Sequence, residues 1–308
     1  MENKLHVSFS PHIRSNNSTM RTMLDVVIAL VPATVAAVIL FGLSALLVIA
    51  VCVISAVAGE ALFNLAIKKE QTVGDLSAVV TGLILALNLP ANIPLWQAAV
   101  GSLFAIIIVK GIFGGLGKNI VNPAIAARVF MLIAFGSMTK AVFPNGLDSV
   151  SGATPLADLA NDKSVNLMDL FLGKCGGALG ETCAVALLIG GIYLIVRKVI
   201  TWHIPVAFIG TTFLFTFAVE GGNLETTLAW VLSGGLMLGA IFMATDYVTS
   251  PSTAKGKLIF GIGAGVITVL IRFWGGYPEG VSFAILLMNI VNPFIDAKTS
   301  RKVFGGKK

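Results

Sequence analysis

Long apolar segments separated by short polar ones follow one another from residue 24 almost to the end of the chain. Most have the length that a helix needs to cross a hydrocarbon core of about 30 Å, and they lack the strict alternation of membrane-spanning strands. The run at 24–67 is too long for one span, and Gly42-Leu43-Ser44 offers a break. The pattern predicts an all-α polytopic membrane protein with ten transmembrane helices, at 24–41, 44–67, 76–89, 95–113, 123–135, 178–196, 204–219, 226–244, 257–273 and 280–295.

Composition supports a membrane protein. Hydrophobic residues make up 56% of the chain and charged residues 12%, and the mean hydropathy is +0.92, whereas soluble domains are roughly 25% charged. The net charge of +6 does not indicate nucleic-acid binding, because the basic residues are scattered along short loops. We therefore expect the lipid bilayer as the surroundings and no nucleic-acid partner.

Basic residues also predict the orientation of the helices. Lys and Arg concentrate in cytoplasmic loops, and a count of ten spans puts every strongly basic loop on the side of the two termini. These loops are the leader, Lys68-Lys69, Lys118, Arg197-Lys198, Lys255 with Lys257, and the C-terminal tail. Both termini are thus predicted to be cytoplasmic, and the polar interval 137–177 is predicted to be extracytoplasmic.

The two halves of the chain align weakly when Phe113-Gly114-Gly115 is placed on Trp274-Gly275-Gly276. Five spans in each half would make such repeats inverted. We reject Asn-Ile-Val-Asn-Pro, at 119–123 and again at 289–293, as a repeat marker, because the first copy opens a helix and the second closes one. The predicted division is a leader at 1–22, a first five-helix repeat at 23–136, a loop at 137–177, a second repeat at 178–297 and a tail at 298–308.

A stretch of small residues precedes Thr154 in the extracytoplasmic loop. It leaves the Thr154 hydroxyl accessible, and Pro155 restrains Thr154 toward extended backbone geometry. Without further context, Thr154 could be an ordinary turn threonine. The stretch nevertheless resembles the flavinylation signature Asp-x-x-Ser/Thr-Gly-Ala-Thr/Ser, which an FMN transferase uses. Its five specified positions are filled by Asp148, Ser151, Gly152, Ala153 and Thr154.

Other segments extend this resemblance to the NqrB/RnfD family of membrane electron-transfer subunits. They are Gly117–Ala124 with Ala127–Phe130, Phe242–Asp246 and Leu286–Asn289. The resemblance implies a fold similar to that of NqrB and the urea transporters, in a prokaryotic cytoplasmic membrane. It also implies covalent FMN on Thr154, in a complex that couples electron flow between ferredoxin and NAD to Na⁺ or H⁺ translocation. The implied partners are the other Rnf subunits, including the second covalent-FMN subunit RnfG, and the FMN transferase during maturation.

Ionisable and polar residues within the spans are functional candidates because burying them in a membrane is costly. We expect Asn122, Arg128 and Asp246 to line a second flavin pocket near the cytoplasmic side, and the family resemblance suggests non-covalent riboflavin there. The alternative is that these residues satisfy interrupted helix ends. Glu60 is a further candidate. Asp25, Lys110 and Arg272 fall near predicted helix ends, where snorkelling to the membrane surface would explain them.

A channel or transporter for a small solute is the competing class, because inverted repeats and the short segment 76–89 also suit one. The Thr154 signature favours electron transfer. No catalytic residue beyond the cofactor is predicted. The cysteines, Cys52, Cys175 and Cys183, have no CxxC spacing and no nearby His, so no metal site is predicted.

The orientation is testable. A reporter that is active only in the cytoplasm, fused after Asn161, should be silent, while the same reporter fused after Lys198 should be active. Activity after Asn161 would overturn the orientation.

Overall fold

A computed structural model describes residues 18–139, 142–144, 154–161, 165–276 and 279–300, and this part of the chain contains helices and no strands. Asp148, Ser151, Gly152 and Ala153 lie outside the described residues. The helices are α1 Thr19–Phe41, α2 Leu43–Ala66, α3 Ser77–Leu87, α4 Leu95–Gly111, α5 Pro123–Ala134, α6 Pro155–Ala160, α7 Leu167–Leu172, α8 Ala184–Val196, α9 His203–Val219, α10 Leu224–Leu232, α11 Leu236–Met243, α12 Ala254–Trp274 and α13 Val281–Thr299.

Every segment predicted from hydropathy overlaps an apolar helix or helix pair, although α8 begins at Ala184 and not at residue 178. Four helices, α1, α2, α12 and α13, are long and apolar enough to cross a membrane singly. The predicted span 226–244 is a broken one, since α10 and α11 meet at an angle of 65°. Gly42 divides the long first run as predicted, with a φ of 71° that suits glycine. The remaining apolar helices, α3, α4, α5, α8 and α9, have 10–17 residues, so length alone does not establish ten spans.

Local sequence explains where several helices begin. The side chain of Asn122 accepts hydrogen bonds from the backbone N–H groups of Ala124 and Ile125, and Pro123 occupies the first turn of α5. Asn223 caps α10 in the same way. Such caps satisfy N–H groups that have no partner within the helix, and this matters most where water is excluded.

The helices form one bundle around a large apolar core. The first helices of the two halves, α1 and α8, pack against each other, and so do α5 and α13. Helix α2 packs on α3 and α4, while α9 packs on α12. The short helix α3 ends inside the bundle, with Asn88 as its C-cap. The backbone N–H of Gly180, in the segment before α8, donates to the carbonyl oxygen of Leu87 at 2.7 Å and so joins the two segments.

Close packing of α3 on α2 depends on a glycine. A Cβ atom at Gly82 would lie 2.9 Å from both the carbonyl oxygen of Cys52 and the Cα of Val53. Backbone atoms of a packed helix cannot move aside cheaply, because interiors are close-packed.

Replacement of Gly82 by Val should therefore reduce the free energy of unfolding by about 1–3 kcal/mol or more. The melting temperature of the detergent-solubilised protein should fall accordingly. Gly74→Ala is the control, because nothing lies within 4 Å of the added Cβ. An unchanged melting temperature for Gly82→Val would show that α2 and α3 are not packed as described.

Candidate functional site

Thr154 is the N-cap of α6. Its Oγ1 accepts a hydrogen bond from the backbone N–H of Ala157 at 3.3 Å, and Pro155 follows in the first helical turn. Thr154 has the extended backbone expected before proline, with φ −69° and ψ 156°. Its side chain is half-buried. Capping uses a lone pair of the hydroxyl oxygen and not its proton, so the cap is compatible with an ester at this oxygen.

A small apolar cluster separate from the main core anchors residues 154–161, which we call the Thr154 segment, to the bundle. It joins α6 to α7 and to α10, and its buried members are Leu156, Leu159, Leu170, Ala229 and Trp230. Leu156 also reaches the break between α10 and α11, where a Cβ at Gly234 would lie 2.6 Å from its side chain. Thr154 is therefore fixed two residues away from a contact with the broken helix.

An open cleft lies at the other end of α11. It contains about 760 Å³ of empty space, a volume that includes open solvent at its mouth. Segments of both halves of the chain form its walls. Its polar lining consists of Ser77, Thr81, Lys110, Asn119, Asn122, Thr245, Asp246 and Tyr247, and apolar residues such as Ile84 and Phe242 complete it.

Two of the three residues predicted for a second flavin pocket, Asn122 and Asp246, lie in this cleft. The Asn122 amide donates to the carbonyl oxygen of Met243 at 3.2 Å and so ties α5 to the end of α11. Asp246 accepts from the Thr249 hydroxyl at 3.0 Å. Burial raises the pKa of the Asp246 carboxyl above its ordinary value, an effect that the bonds from Thr249 and Val248 partly offset.

The repeated Asn-Ile-Val-Asn-Pro motifs meet in space. Asn289 is 1% exposed. Its amide lies 3.1 Å from the backbone N–H of Asn122 and 3.2 Å from the carbonyl oxygen of Thr249, so it can accept from the first and donate to the second. The second motif therefore supports the first at the cleft, a relation that the sequence comparison of helix ends did not reveal.

Arg128, the third residue predicted for the pocket, is not among the residues that line the cleft. It is 5% exposed and contacts Asn88, Glu181 and Glu279, with 2.6 Å between its Nη2 and Glu181 Oε1. Arg128 therefore does not line the cleft together with Asn122 and Asp246. Arg128 lies about one and a half turns further along α5, beside the two carboxylates.

Arg272 completes what we call the four-charge cluster, defined by Arg128, Glu181, Arg272 and Glu279. Its guanidinium donates to the carbonyl oxygens of Trp230 at 2.6 Å, Ser233 at 3.1 Å and Glu279 at 3.3 Å. It is 6% exposed, so snorkelling does not explain it. Arg272 instead satisfies carbonyl groups that the break between α10 and α11 leaves without helical partners.

Gly235 leaves room for the four-charge cluster. A Cβ there would lie 2.5 Å from Glu279 Oε1, 3.1 Å from Arg128 Nη1 and 3.2 Å from Glu181 Oε1. Burial raises the pKa of Glu279 to about 8, with the Glu181 carboxylate adding to this effect and Arg128 opposing it. The absence of a side chain at Gly235 therefore lets these oppositely charged groups lie close together.

Lys110 also differs from its prediction as a snorkelling residue. It is 3% exposed, and its Nζ lies 2.7 Å from Oε1 of Glu60, which is 5% exposed. Asp25, likewise assigned to snorkelling, accepts from the Tyr193 hydroxyl at 2.9 Å and pairs with Arg197 at 3.3 Å, which links α1 to α8. Their charge identified Lys110 and Arg272 as candidates. Their position near a predicted helix end, however, did not indicate that their side chains point into the protein.

Together these features define a class: a multi-pass helical membrane protein with an anchored threonine segment and a cleft between its two halves. The sequence profile of the NQR2, RnfD, RnfE family matches residues 6–305, and the chain belongs to this family. The resemblance drawn from its motifs is thereby confirmed.

Three relatives place the chain within the family. It is 50% identical over 313 residues to a protein of Acetobacterium woodii that is named as one subunit of the Na(+)-translocating ferredoxin:NAD(+) oxidoreductase complex, covering 100% of this chain and 97% of that one. It is 42% identical to the corresponding protein of a proton-translocating ferredoxin:NAD(+) oxidoreductase complex in Clostridium ljungdahlii, covering 100% and 98%. It is 37% identical to a member of an ion-translocating oxidoreductase complex in Ectopseudomonas mendocina, covering 97% and 95%.

Removal of Arg128 should destabilise the protein strongly. Arg128→Met leaves the partly buried carboxylates of Glu181 and Glu279 without their shared cation. Removing one partner of a buried ion pair costs about 3–5 kcal/mol, so the melting temperature of the solubilised protein should fall sharply.

The matched control is Arg197→Met. Its side chain is 57% exposed in its pair with Asp25, so its loss should change the melting temperature only slightly. Equal melting temperatures for the two variants would contradict the buried cluster.

Proposed function

We propose that this chain is a membrane electron-transfer subunit that carries FMN, through a phosphoester, on Thr154. It acts within a complex that couples electron flow between ferredoxin and NAD to ion translocation. The proposal rests on the family, on the names of its relatives and on one structural observation. That observation is the position of Thr154: its hydroxyl caps a helix whose own apolar cluster is anchored to the bundle.

The residues around Thr154 fit such a group. The hydroxyl oxygen only accepts in its bond with the backbone N–H of Ala157. Replacement of the hydroxyl proton by a phosphoryl group would therefore leave this capping bond intact. The five positions of the transferase signature, Asp148 through Thr154, are the reason to expect FMN. When bound, FMN supplies the redox chemistry, while the protein sets its position and surroundings.

The cleft is the proposed place of a second, non-covalent flavin, for which the family resemblance suggests riboflavin. Apolar walls with a few polar groups are typical of ligand sites, and the cleft combines Ile84 and Phe242 with Asn122 and Asp246. Helix α11, which separates this cleft from the contact of Leu156 at Gly234, has eight residues and a length of about 12 Å. The two proposed sites therefore lie on either side of the broken helix.

A transport pathway for a small solute is less consistent with the four-charge cluster. Arg128 and two carboxylates occupy the junction where α3 ends, α10 and α11 are broken and α13 begins. A solute passing through this junction would have to separate buried ion pairs, which is costly. Electron transfer requires no such opening.

The remaining assignments belong to the same proposal. The chain crosses a prokaryotic cytoplasmic membrane ten times as two inverted repeats, with both termini in the cytoplasm and the Thr154 segment outside. Its partners are the other Rnf subunits, with RnfG as the second covalent-FMN subunit, and the FMN transferase acts during maturation. Since the named relatives differ in the ion that their complexes translocate, we propose Na⁺ or H⁺ as the coupling ion. The isolated chain, without the other subunits, has no turnover of its own.

The covalent flavin can be tested by in-gel fluorescence. Denatured protein from cells that contain the FMN transferase should fluoresce under ultraviolet light, and Thr154→Val should abolish the signal because it lacks a hydroxyl. Thr154→Ser is the matched control and should retain fluorescence, because the signature accepts either hydroxyl. Full fluorescence in Thr154→Val would refute attachment at this residue.

A further inference from the structure

A buried ion pair stands at one wall of the cleft. Lys110 Nζ lies 2.7 Å from Glu60 Oε1 and 2.5 Å from Ser77 Oγ. Lys110 and Ser77 line the cleft, whereas Glu60 is not among the lining residues. The positive end of this pair therefore faces the cleft, and its counter-charge lies behind it.

The backbone around Lys110 is unusual. The last part of α4, Phe104–Gly111, is a π-helix, and such wider turns occur frequently at functional sites. A Lys within a membrane segment is costly and is a functional candidate by default. The Lys110 charge therefore lies at the cleft although helix packing does not require a charge there.

Glu60 shows that the pair is incomplete as a purely structural element. Its Oε1 accepts from Lys110 and from the Thr72 hydroxyl at 2.9 Å, but its Oε2 is buried and has no hydrogen-bond partner in the part of the chain that the structure describes. A buried pair is stabilising only when its remaining lone pairs are satisfied, and apolar replacement of both partners is often neutral. Stability therefore does not account for the pair.

We propose that the Lys110–Glu60 pair sets the reduction potential of the flavin in the cleft. The inference rests on the proposed function of that cleft. Reduction adds negative charge to a bound flavin, and a cation at the wall favours the reduced form, whereas a lone carboxylate favours the oxidised form. These effects are strong because the effective dielectric constant of a buried site is far below that of water.

The two charges therefore predict opposite effects. Lys110→Met leaves Glu60 unpaired and should shift the equilibrium at least tenfold toward oxidised flavin. Glu60→Gln leaves Lys110 unpaired and should shift it at least tenfold toward reduced flavin. A tenfold change corresponds to about 59 mV for a one-electron couple. A purely structural role would not produce shifts of opposite sign.

The experiment uses the complete complex, purified from cells that express each variant. Denaturation releases the non-covalent flavin, which is identified by mass, and a spectroelectrochemical titration of the native complex gives the potentials. The covalent flavins serve as internal references, because their potentials should not move with Lys110 or Glu60. Lys110→Arg is the charge-conserving control and should stay nearer to the parent potential than Lys110→Met.

A double variant, Lys110→Met with Glu60→Leu, covers the case in which a single variant does not assemble. It removes both charges and should shift the potential toward the oxidised form by less than Lys110→Met.

Single variants that shift in the same direction, or not at all, would overturn the inference, as would an unchanged potential in the double variant. If the parent complex releases no flavin, the proposed function of the cleft fails and this inference falls with it. Release of flavin with unmoved potentials would refute the inference alone.

Discussion

The bundle depends on polar side chains that satisfy backbone groups at helix ends lying inside it. Helix α3 ends at Asn88, and a break separates α10 from α11. Backbone groups at such points have no helical partners and no water. Arg128 joins Asn88 to Glu181 and Glu279, while Arg272 binds the carbonyl groups at the break. These two cations hold the junction of the short helices, and the Thr154 segment and the cleft lie on either side of it.

This arrangement gives the two proposed flavin sites different surroundings. The Thr154 segment is anchored by its own apolar cluster and reaches the bundle through Leu156 at Gly234. The cleft is formed by polar and apolar residues of both halves, with Lys110 at one wall and Asp246 also in its lining. An electron that moves between the sites would pass the four-charge cluster or α11. Fixed charges along this path can stabilise a transferred charge without the mobile water that would do so in solution.

Hydropathy predicted the helices well because burial in lipid requires long apolar runs and closed backbone bonds. It located the break at Gly42 and also the segments that prove to be short. Side-chain direction was harder. Lys110 and Arg272 lie near helix ends but point inward, and Arg128 points to Glu181 and Glu279, which are distant in sequence. Only three-dimensional packing brings such groups together, so the pattern along the chain could suggest Asn122 and Asp246 as neighbours but could not separate Arg128 from them.

The central claim is that the Thr154 oxygen bears FMN. Its most direct test is mass mapping of the proteolytic peptide that contains Thr154, from protein produced together with the FMN transferase. The account predicts that this peptide carries the mass of FMN less one water and that fragmentation places the addition on Thr154. An unmodified peptide, in cells where another substrate of the same transferase is modified, would contradict it.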